Sequence, residues 1–228
     1  MRLNLVVEGQ SEERFVKQVV APYLSGRGVY AVARAVKTGR KRGRDVRGGL
    51  LKYVHLKNDL QTWMREQRAG NVRFSTMIDL YGLPNDFPGQ PEAGRTADPY
   101  QRVALLEAAL AADLDDERLI PYVQLHEFEA LLLAGPQYFD GEFIDRKREI
   151  QALVAMAASV TSPELIDDGH ATAPSKRIIT EIPEYEGRKV SAAPVIASKI
   201  GLDTMRARCP HFATWLARLE ALGTLGSA

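Results

Sequence analysis

Apolar residues fall into short blocks in the first half of the chain and recur at helical spacing between them. Four blocks are rich in β-branched residues and are followed by turn or polar residues, which is typical of buried strands. The predicted strands cover residues 3–7, 29–36, 73–78 and 119–125. Between them, apolar residues recur every three or four positions, as on the buried side of an amphipathic helix. These predicted helices cover residues 11–24, 50–67 and 99–114.

The alternation of strands and helices predicts an α/β fold with a mostly parallel, doubly wound, four-stranded sheet flanked by helices. Pro121 interrupts the fourth block, so that strand is expected at an edge or at a bulge. Beyond residue 135 the strand patterns fade, and the spacing predicts helices at 140–159, 175–182, 193–200 and 210–222. We therefore expect an α/β core over residues 1–134 and a helical carboxyl-terminal region over residues 135–228, packed on that core.

Three of the predicted strands are followed by an acid, namely Glu8, Asp79 and Glu127. A buried strand that delivers a carboxylate is unusual, because charges are rarely buried unless they are paired or bind a metal. In open α/β sheets, ligands bind at the carboxyl ends of the strands. Glu12 follows Glu8 on the first helical turn, and Glu129 follows Glu127, so both acids are candidates for the same place.

Clustered carboxylates repel one another unless a cation lies between them. Hard oxygen ligands of this kind suit Mg²⁺ or Mn²⁺. A metal site of this type can polarise a phosphoryl group or position a water molecule for attack on it. The three strand-end acids therefore predict a Mg²⁺ or Mn²⁺ site that acts on a phosphodiester.

The distribution of charge supports an anionic substrate. The 228 residues carry a formal net charge of +1, yet residues 34–57 contain nine Lys or Arg and one acid, a local excess of +8. Residues 38–49 are predicted to form a mobile Gly/Arg/Lys loop. Basic side chains of this type bind nucleic-acid phosphates; the candidates are Arg40, Lys41, Arg42, Arg44 and Arg47. An ordinary solvated or partner-binding surface is the alternative interpretation.

The composition of the chain limits the class of protein and the cellular compartment. Hydrophobic residues make up 45% and charged residues 26% of the chain, an ordinary globular profile. No apolar run approaches the roughly 18 residues of a membrane span, and neither a membrane location nor a signal peptide is expected. A single cysteine, Cys209, excludes an intrachain disulfide and a cysteine-rich zinc site. We expect a cytoplasmic protein; the sequence leaves the oligomeric state open, a homo-oligomer included.

Several motifs resemble a known superfamily. Glu-Gly-x-Ser-Glu at residues 8–12, followed by a strand that ends in Asp79, resembles the TOPRIM fold of topoisomerases, bacterial primases and OLD-type nucleases. Met-Ile-Asp-Leu-Tyr-Gly-Leu-Pro at 77–84, His-Glu-Phe-Glu-Ala-Leu-Leu at 126–132 and Pro-Ser-Lys-Arg at 174–177 resemble small stand-alone TOPRIM-like proteins, the domain of unknown function family 4276. The resemblance covers most of the chain.

The resemblance implies further features. Both glutamates of the first motif would approach metal, as in OLD-type nucleases. A lysine from beyond the sheet would meet transition-state charge, for which Lys176 is the candidate and Lys199 the reserve. A role in phage defence, beside an ATPase of the ABC type, is also implied. One departure is that TOPRIM proteins have a second acid where this chain has Tyr81; Asp86 or Glu129 are the candidates to replace it.

The leading interpretation is a metal-dependent nuclease acting on DNA or RNA. Glu8 would act as ligand or general base, and Asp79 and Glu127 as ligands. Glu12 and Glu129 would be auxiliary ligands, and Lys176 would steady charge on the phosphate; each acid could instead be a helix cap or turn residue. The main alternative is a non-catalytic, TOPRIM-shaped regulator that binds nucleic acid or an ATPase. A primase- or topoisomerase-type transferase is a weaker alternative, since the chain is short for either.

Overall fold

A parallel sheet organises the first half of the chain in the computed structural model, which describes residues 1–41, 44–47, 50–166 and 172–224. The described strands are β1 Arg2–Val7, β2 Tyr30–Ala35, β3 Lys37–Lys41, β4 Arg44–Arg47, β5 Val72–Asp79, β6 Leu119–Ile120 and β7 Val123–Gln124. In the main sheet the order is β2-β1-β5, and β6 and β7 both pair with β5. Each of these pairings is parallel, which confirms the predicted class of sheet.

The predicted fourth strand is two short strands, β6 and β7, separated by Pro121 and Tyr122. Proline has no N–H to donate to a ladder, so the interruption falls where the sequence predicts it. The main sheet therefore has five strands instead of the four expected.

Helices surround the sheet and make up the carboxyl-terminal half. Their bounds are α1 Gln10–Phe15, α2 Ala21–Ser25, α3 Tyr53–Glu66, α4 Gln90–Ala93, α5 Pro99–Leu114, α6 Glu129–Leu132, α7 Lys147–Ala158, α8 Pro174–Glu181, α9 Tyr185–Ile200, α10 Leu202–Arg208 and α11 Pro210–Thr224. A π-helical turn, Val16–Val20, joins α1 to α2. Single 3₁₀ segments occur at Leu80–Gly82, Pro136–Gly141 and Pro163–Leu165.

Both faces of the sheet are covered, because side chains of β1 alternate between two hydrophobic clusters. Leu3, Leu5 and Val7 join a cluster that contains α1 and much of the carboxyl-terminal half, including Leu216. Val6 points the other way, into a cluster with residues of α3 and α5. This period of two follows from the pleat of a strand. The carboxyl-terminal helices therefore pack on one face of the sheet; the boundary at residue 134 stays a prediction.

The basic segment differs from the loop predicted for it. Its backbone forms the antiparallel pair β3 and β4, with Lys37 opposite Arg47 and Lys41 opposite Arg44. The loop prediction was wrong because it took scarcity of apolar side chains as absence of structure, whereas a two-stranded ribbon is joined by backbone hydrogen bonds. The hairpin leaves the sheet at the carboxyl edge, since the Val36 N–H donates to the Val7 carbonyl at 2.8 Å.

Helix α9 is twice as long as predicted. The helix was predicted over 193–200, but α9 runs from Tyr185 to Ile200 and contains Gly187 and Pro194. Glycine costs about 1 kcal/mol and proline about 3 kcal/mol inside a helix. Burial of one side of α9 offsets these costs, through residues such as Tyr185, Ile196 and Ile200.

Candidate functional site

Three strand ends lie side by side at the carboxyl edge of the sheet. β1 pairs with β5 up to Val7 and Met77, and β5 pairs with β7 at Asp79 and Gln124. Glu8 continues the first ladder, because its N–H donates to the Met77 carbonyl at 3.0 Å. The strands that deliver Glu8, Asp79 and Glu127 are thus neighbours, as the pattern of strand ends predicts.

The predicted acids come together as one group, which we call the acidic cluster: Glu8, Glu12, Asp79, Glu127 and Glu129. Burial raises the pKa of Asp79 well above its usual range, and the charges of the other four acids raise it further. Burial also raises the pKa of Glu8, with contributions from Glu127 and Glu129. Burial raises the pKa of Glu12 to about 7, with contributions from Glu129 and Glu8. Each carboxylate therefore disfavours ionisation of its neighbours.

Backbone amides hold two of the carboxylates at the start of α1. Glu8 Oε2 accepts a hydrogen bond from the Asp79 N–H at 3.1 Å. Glu12 Oε2 accepts one from the Gly9 N–H at 2.9 Å. This second bond closes the amino terminus of α1, whose N-cap is Gly9. One oxygen of each acid is thereby held by the backbone.

The carboxylate of Glu127, which follows β7, is also held by a backbone amide at the start of a helix. Glu127 Oε2 accepts a hydrogen bond from the Ser175 N–H at 2.8 Å, at the start of α8. Asp79 is the exception, because its Oδ1 is buried and accepts no hydrogen bond from the described part of the chain. A buried polar atom without a partner costs about 1–3 kcal/mol. An oxygen of this kind is suited to a ligand that the protein alone does not provide.

A lysine and a tyrosine from α9 complete the cluster, and the sequence did not single them out. Glu129 Oε1 accepts a hydrogen bond from the Tyr185 hydroxyl at 3.2 Å and lies 3.0 Å from Lys189 Nζ. Burial lowers the pKa of Lys189, but the charges of Glu129, Glu127 and Asp79 outweigh it, so the pKa is raised and the ammonium stays charged. Tyr185 and Lys189 are four residues apart, hence on one side of α9.

The turn after β5 connects two strand ends. The Tyr81 N–H donates to the His126 carbonyl at 3.1 Å, and the two rings are 5.4 Å apart. His126 has φ 59°, in the left-handed region. Non-glycine residues rarely adopt this conformation, and strained backbone is concentrated at functional sites. His126 thus links the end of β7 to the turn after β5 through its backbone and its ring.

The remaining predicted residues lie elsewhere. Lys176 is exposed on α8 and lines a pocket of about 160 Å³ with Met156, Thr180 and Glu181. The Lys199 ammonium lies beside Gly141. Their catalytic roles stay predictions, whereas Lys189 is in contact with the cluster.

Asp86 Oδ1 accepts a hydrogen bond from the Tyr53 N–H at 3.0 Å, and its role as a replacement for the missing second acid stays a prediction. The basic candidates Arg40, Lys41, Arg44 and Arg47 lie on β3 and β4, and Arg42 lies outside the described residues.

Donor chemistry and geometry give different answers about a metal. Five carboxylates, one with an unpartnered buried oxygen, fit the ligand preferences of Mg²⁺ and Mn²⁺. Yet across residues 1–41, 44–47, 50–166 and 172–224, no three His, Cys, Asp or Glu side chains converge to hold an ion. The arrangement of the side chains does not exclude a metal site, because mutually repelling carboxylates turn apart and bind amides when no cation attracts them. Metal binding would require at least some of these side chains to rotate inward.

Comparison with known proteins gives the family. The model of the family described as Domain of unknown function (DUF4276) matches residues 7–220, so the chain belongs to that family. No curated protein sequence matches it.

Two solved structures of the C-terminal region of the Xanthomonas campestris pv. campestris OLD protein resemble the chain. The one phased with iodine is 16% identical, with a TM-score of 0.46 over 98% of this chain and 96% of that one. The one phased with platinum is 15% identical, with a TM-score of 0.47 over 99% of this chain and 95% of that one. Separately, none of the described helices is both long and apolar enough to span a bilayer.

Proposed function

We propose that this protein is a metal-dependent nuclease whose active site is the acidic cluster. The observation that carries the proposal is the gathering of five acids at the ends of three neighbouring strands, with a buried oxygen of Asp79 that has no partner among the residues that the structure describes. Such an arrangement is costly for the metal-free protein, and a divalent cation relieves it. The likeness of residues 8–12 and 77–84 to TOPRIM motifs supports the same conclusion.

Each acid has a proposed part. Asp79, Glu8 and Glu127 would hold Mg²⁺ or Mn²⁺, and Glu129 would be an auxiliary ligand. Glu12, one helical turn after Glu8, would be the second auxiliary acid. The bound ion would supply Lewis-acid activation of a phosphodiester. The residues themselves would orient the scissile phosphate and exclude water from the buried side of the cluster.

Two lysines and the basic hairpin β3–β4 are the proposed sources of positive charge for the phosphate. Lys189 keeps its charge beside Glu129, and 32% of its side chain is exposed, so it can meet a substrate as well as the acid. Lys176 remains the second candidate. The hairpin β3–β4 carries Arg40, Lys41 and Arg44 and leaves the sheet beside the end of β1. Basic residues at this place suit the backbone of DNA or RNA.

The wider setting is proposed from the motif resemblance. That resemblance supports a protein that works beside an ATPase of the ABC type in phage defence, and the composition supports a cytoplasmic location.

A non-catalytic regulator that binds nucleic acid is the second candidate function. Tyr81 stands where the TOPRIM motif has its second acid, and no three of the described acids converge on a point. A regulator would bind nucleic acid through the hairpin and would not cleave it with either metal.

A cleavage assay tests the leading proposal. Plasmid DNA and structured RNA are incubated with the parent and with Glu8→Gln, Asp79→Asn and the control Asp203→Asn, an exposed acid at the start of α10, in Mg²⁺, in Mn²⁺ and in EDTA. We expect metal-dependent cleavage that falls by at least about 100-fold in the first two variants, a usual loss for removal of a group that stabilises charge in the transition state. The control should keep the parental rate. Parental rates in both cluster variants would end the proposal; binding without cleavage by the parent would favour the regulator.

A further inference from the structure

Gly82 lies directly against the carboxylate of Glu8. A Cβ atom at position 82 would lie 2.2 Å from Glu8 Oε2, 2.5 Å from Oε1 and 2.6 Å from Cδ. Atoms without a bond between them do not approach so closely. The carboxylate of Glu8 therefore occupies the space that any other residue at position 82 would need for its side chain.

The backbone of Gly82 does not explain the glycine. The glycines with left-handed φ in the described chain are Gly28, Gly89 and Gly201, so position 82 has a conformation that ordinary residues adopt. It closes the short 3₁₀ segment Leu80–Gly82, which tolerates any L-residue. The requirement for glycine comes from Glu8.

Two contacts from one turn fix the carboxylate. The Asp79 N–H, at the start of the turn, donates to Glu8 Oε2, and Gly82, at its end, lies against both oxygens of the carboxylate. The same turn is tied to the neighbouring strand end, because the Tyr81 N–H donates to the His126 carbonyl. The turn thus joins the ends of β1, β5 and β7, and it sets where the Glu8 oxygens lie relative to Asp79.

We infer that Gly82 is a positioning residue. Because it has no side chain, the Glu8 carboxylate can occupy this space in the acidic cluster. The consequence for metal binding rests on the proposed function, but the contact itself does not. Glu8 is a flexible side chain, so a methyl group at position 82 displaces the carboxylate and leaves the fold in place. A substitution at Gly82 therefore perturbs the site with the charge of the cluster unchanged.

The test compares Gly82→Ala with Gly70→Ala, since a Cβ at position 70 would meet nothing within 4 Å. The first measurement needs no metal: hydrogen exchange of the Asp79 amide, read by NMR in EDTA. We expect exchange at least about tenfold faster in Gly82→Ala, because this amide loses its acceptor, and parental exchange in Gly70→Ala. The second measurement is Mn²⁺ affinity by calorimetry, which should fall by about tenfold or more in Gly82→Ala alone.

A Glu8→Ala background supplies the decisive control. Without the carboxylate there is nothing for the new methyl group to displace, so adding Gly82→Ala to Glu8→Ala should change neither measurement further. Unchanged Asp79 exchange in Gly82→Ala would overturn the inference, as would an equal effect of Gly82→Ala in both backgrounds. A parent that binds no Mn²⁺, with Asp79 exchange that responds as expected, would remove the proposed function and support the role of Gly82.

Discussion

Two buried acidic regions of this protein differ in how many hydrogen-bond donors surround their carboxylates. Glu164, which is fully buried, has donors for both of its oxygens. Oε1 accepts from the Phe212 N–H at 2.9 Å, and Oε2 accepts from the His211 N–H at 3.0 Å and from the Tyr100 hydroxyl at 3.4 Å. Two of these donors are amides of the first turn of α11, where an anion is favoured. Asp79, in the acidic cluster, has an oxygen with no donor from the described residues.

The charges around Glu164 and around Asp79 also differ. The pKa of Glu164 is raised by burial, and the amides of Phe212 and His211 and the charge of His211 reduce that rise. Burial raises the pKa of Asp79 too, and there the nearby acids Glu12, Glu8 and Glu129 raise it further. An acid with a structural part is surrounded by donors, whereas acids grouped with other acids cost stability. This cost is typical of a site organised for a ligand.

Two matched amide substitutions test the contrast first. Glu164→Gln should lower the free energy of unfolding by about 2 kcal/mol, because the new NH₂ group faces donors and leaves one without an acceptor. Asp79→Asn should raise it by about 1 kcal/mol in EDTA, since it removes a carboxyl that its neighbours disfavour. Urea unfolding of the metal-free proteins measures both. A change of the same sign in the two variants would remove the distinction between the regions.

The pH dependence of stability should show the cluster directly. The pKa of Glu12 in the folded protein, about 7, exceeds its ordinary value of 4.5. The stabilisation from its proton is therefore complete below pH 4.5 and is lost as the pH rises to about 7. We expect the free energy of unfolding in EDTA to decrease across this interval, by up to about 1.4 kcal/mol per pH unit for this one proton. Glu12→Gln should have a shallower slope; equal slopes would show that Glu12 titrates normally.

A smaller effect compares a buried ion pair with an exposed one. Lys189 contacts Glu129, of which 5% is exposed, whereas Lys17 pairs with Glu13 at 2.6 Å on a surface where 54% of the lysine side chain is exposed. In EDTA, Lys189→Gln should cost about 1–2 kcal/mol because Glu129 loses its counter-charge, and Lys17→Gln less than about 0.5 kcal/mol. Thermal unfolding of the two variants measures the difference. Equal costs would mean that the cluster does not need the ammonium.

The sheet and the strand-end acids could be predicted because their signals are local. Short apolar blocks rich in β-branched residues identify β1 and β5 as strands, and Glu8 and Asp79 follow directly from where those strands end. Helix α5 was equally clear, since Asp98 caps it by accepting from the Tyr100 N–H and Pro99 begins it. Features of this kind depend only on residues that are close together in the sequence, so they can be predicted without knowledge of the fold.

Other parts of the site depend on contacts between distant segments. Lys189 and Tyr185 were missed because Gly187, between them, resembles a turn, and only packing against the sheet shows that α9 continues through it. Gly82 follows Asp79 in a turn-rich stretch, and nothing in the sequence indicates that Glu8 fills its side-chain space. The hairpin β3–β4 has few apolar residues, so its pairing gives no hydrophobic pattern to detect.

The most direct test of the account is a calorimetric titration of Mn²⁺ into the metal-free parent, Asp79→Asn and Glu164→Gln at neutral pH. If the acidic cluster is a metal site, the parent and Glu164→Gln should bind Mn²⁺ alike, and Asp79→Asn should bind it at least about tenfold more weakly. Equal binding by the parent and Asp79→Asn, or no binding by the folded parent at millimolar metal, would contradict the account.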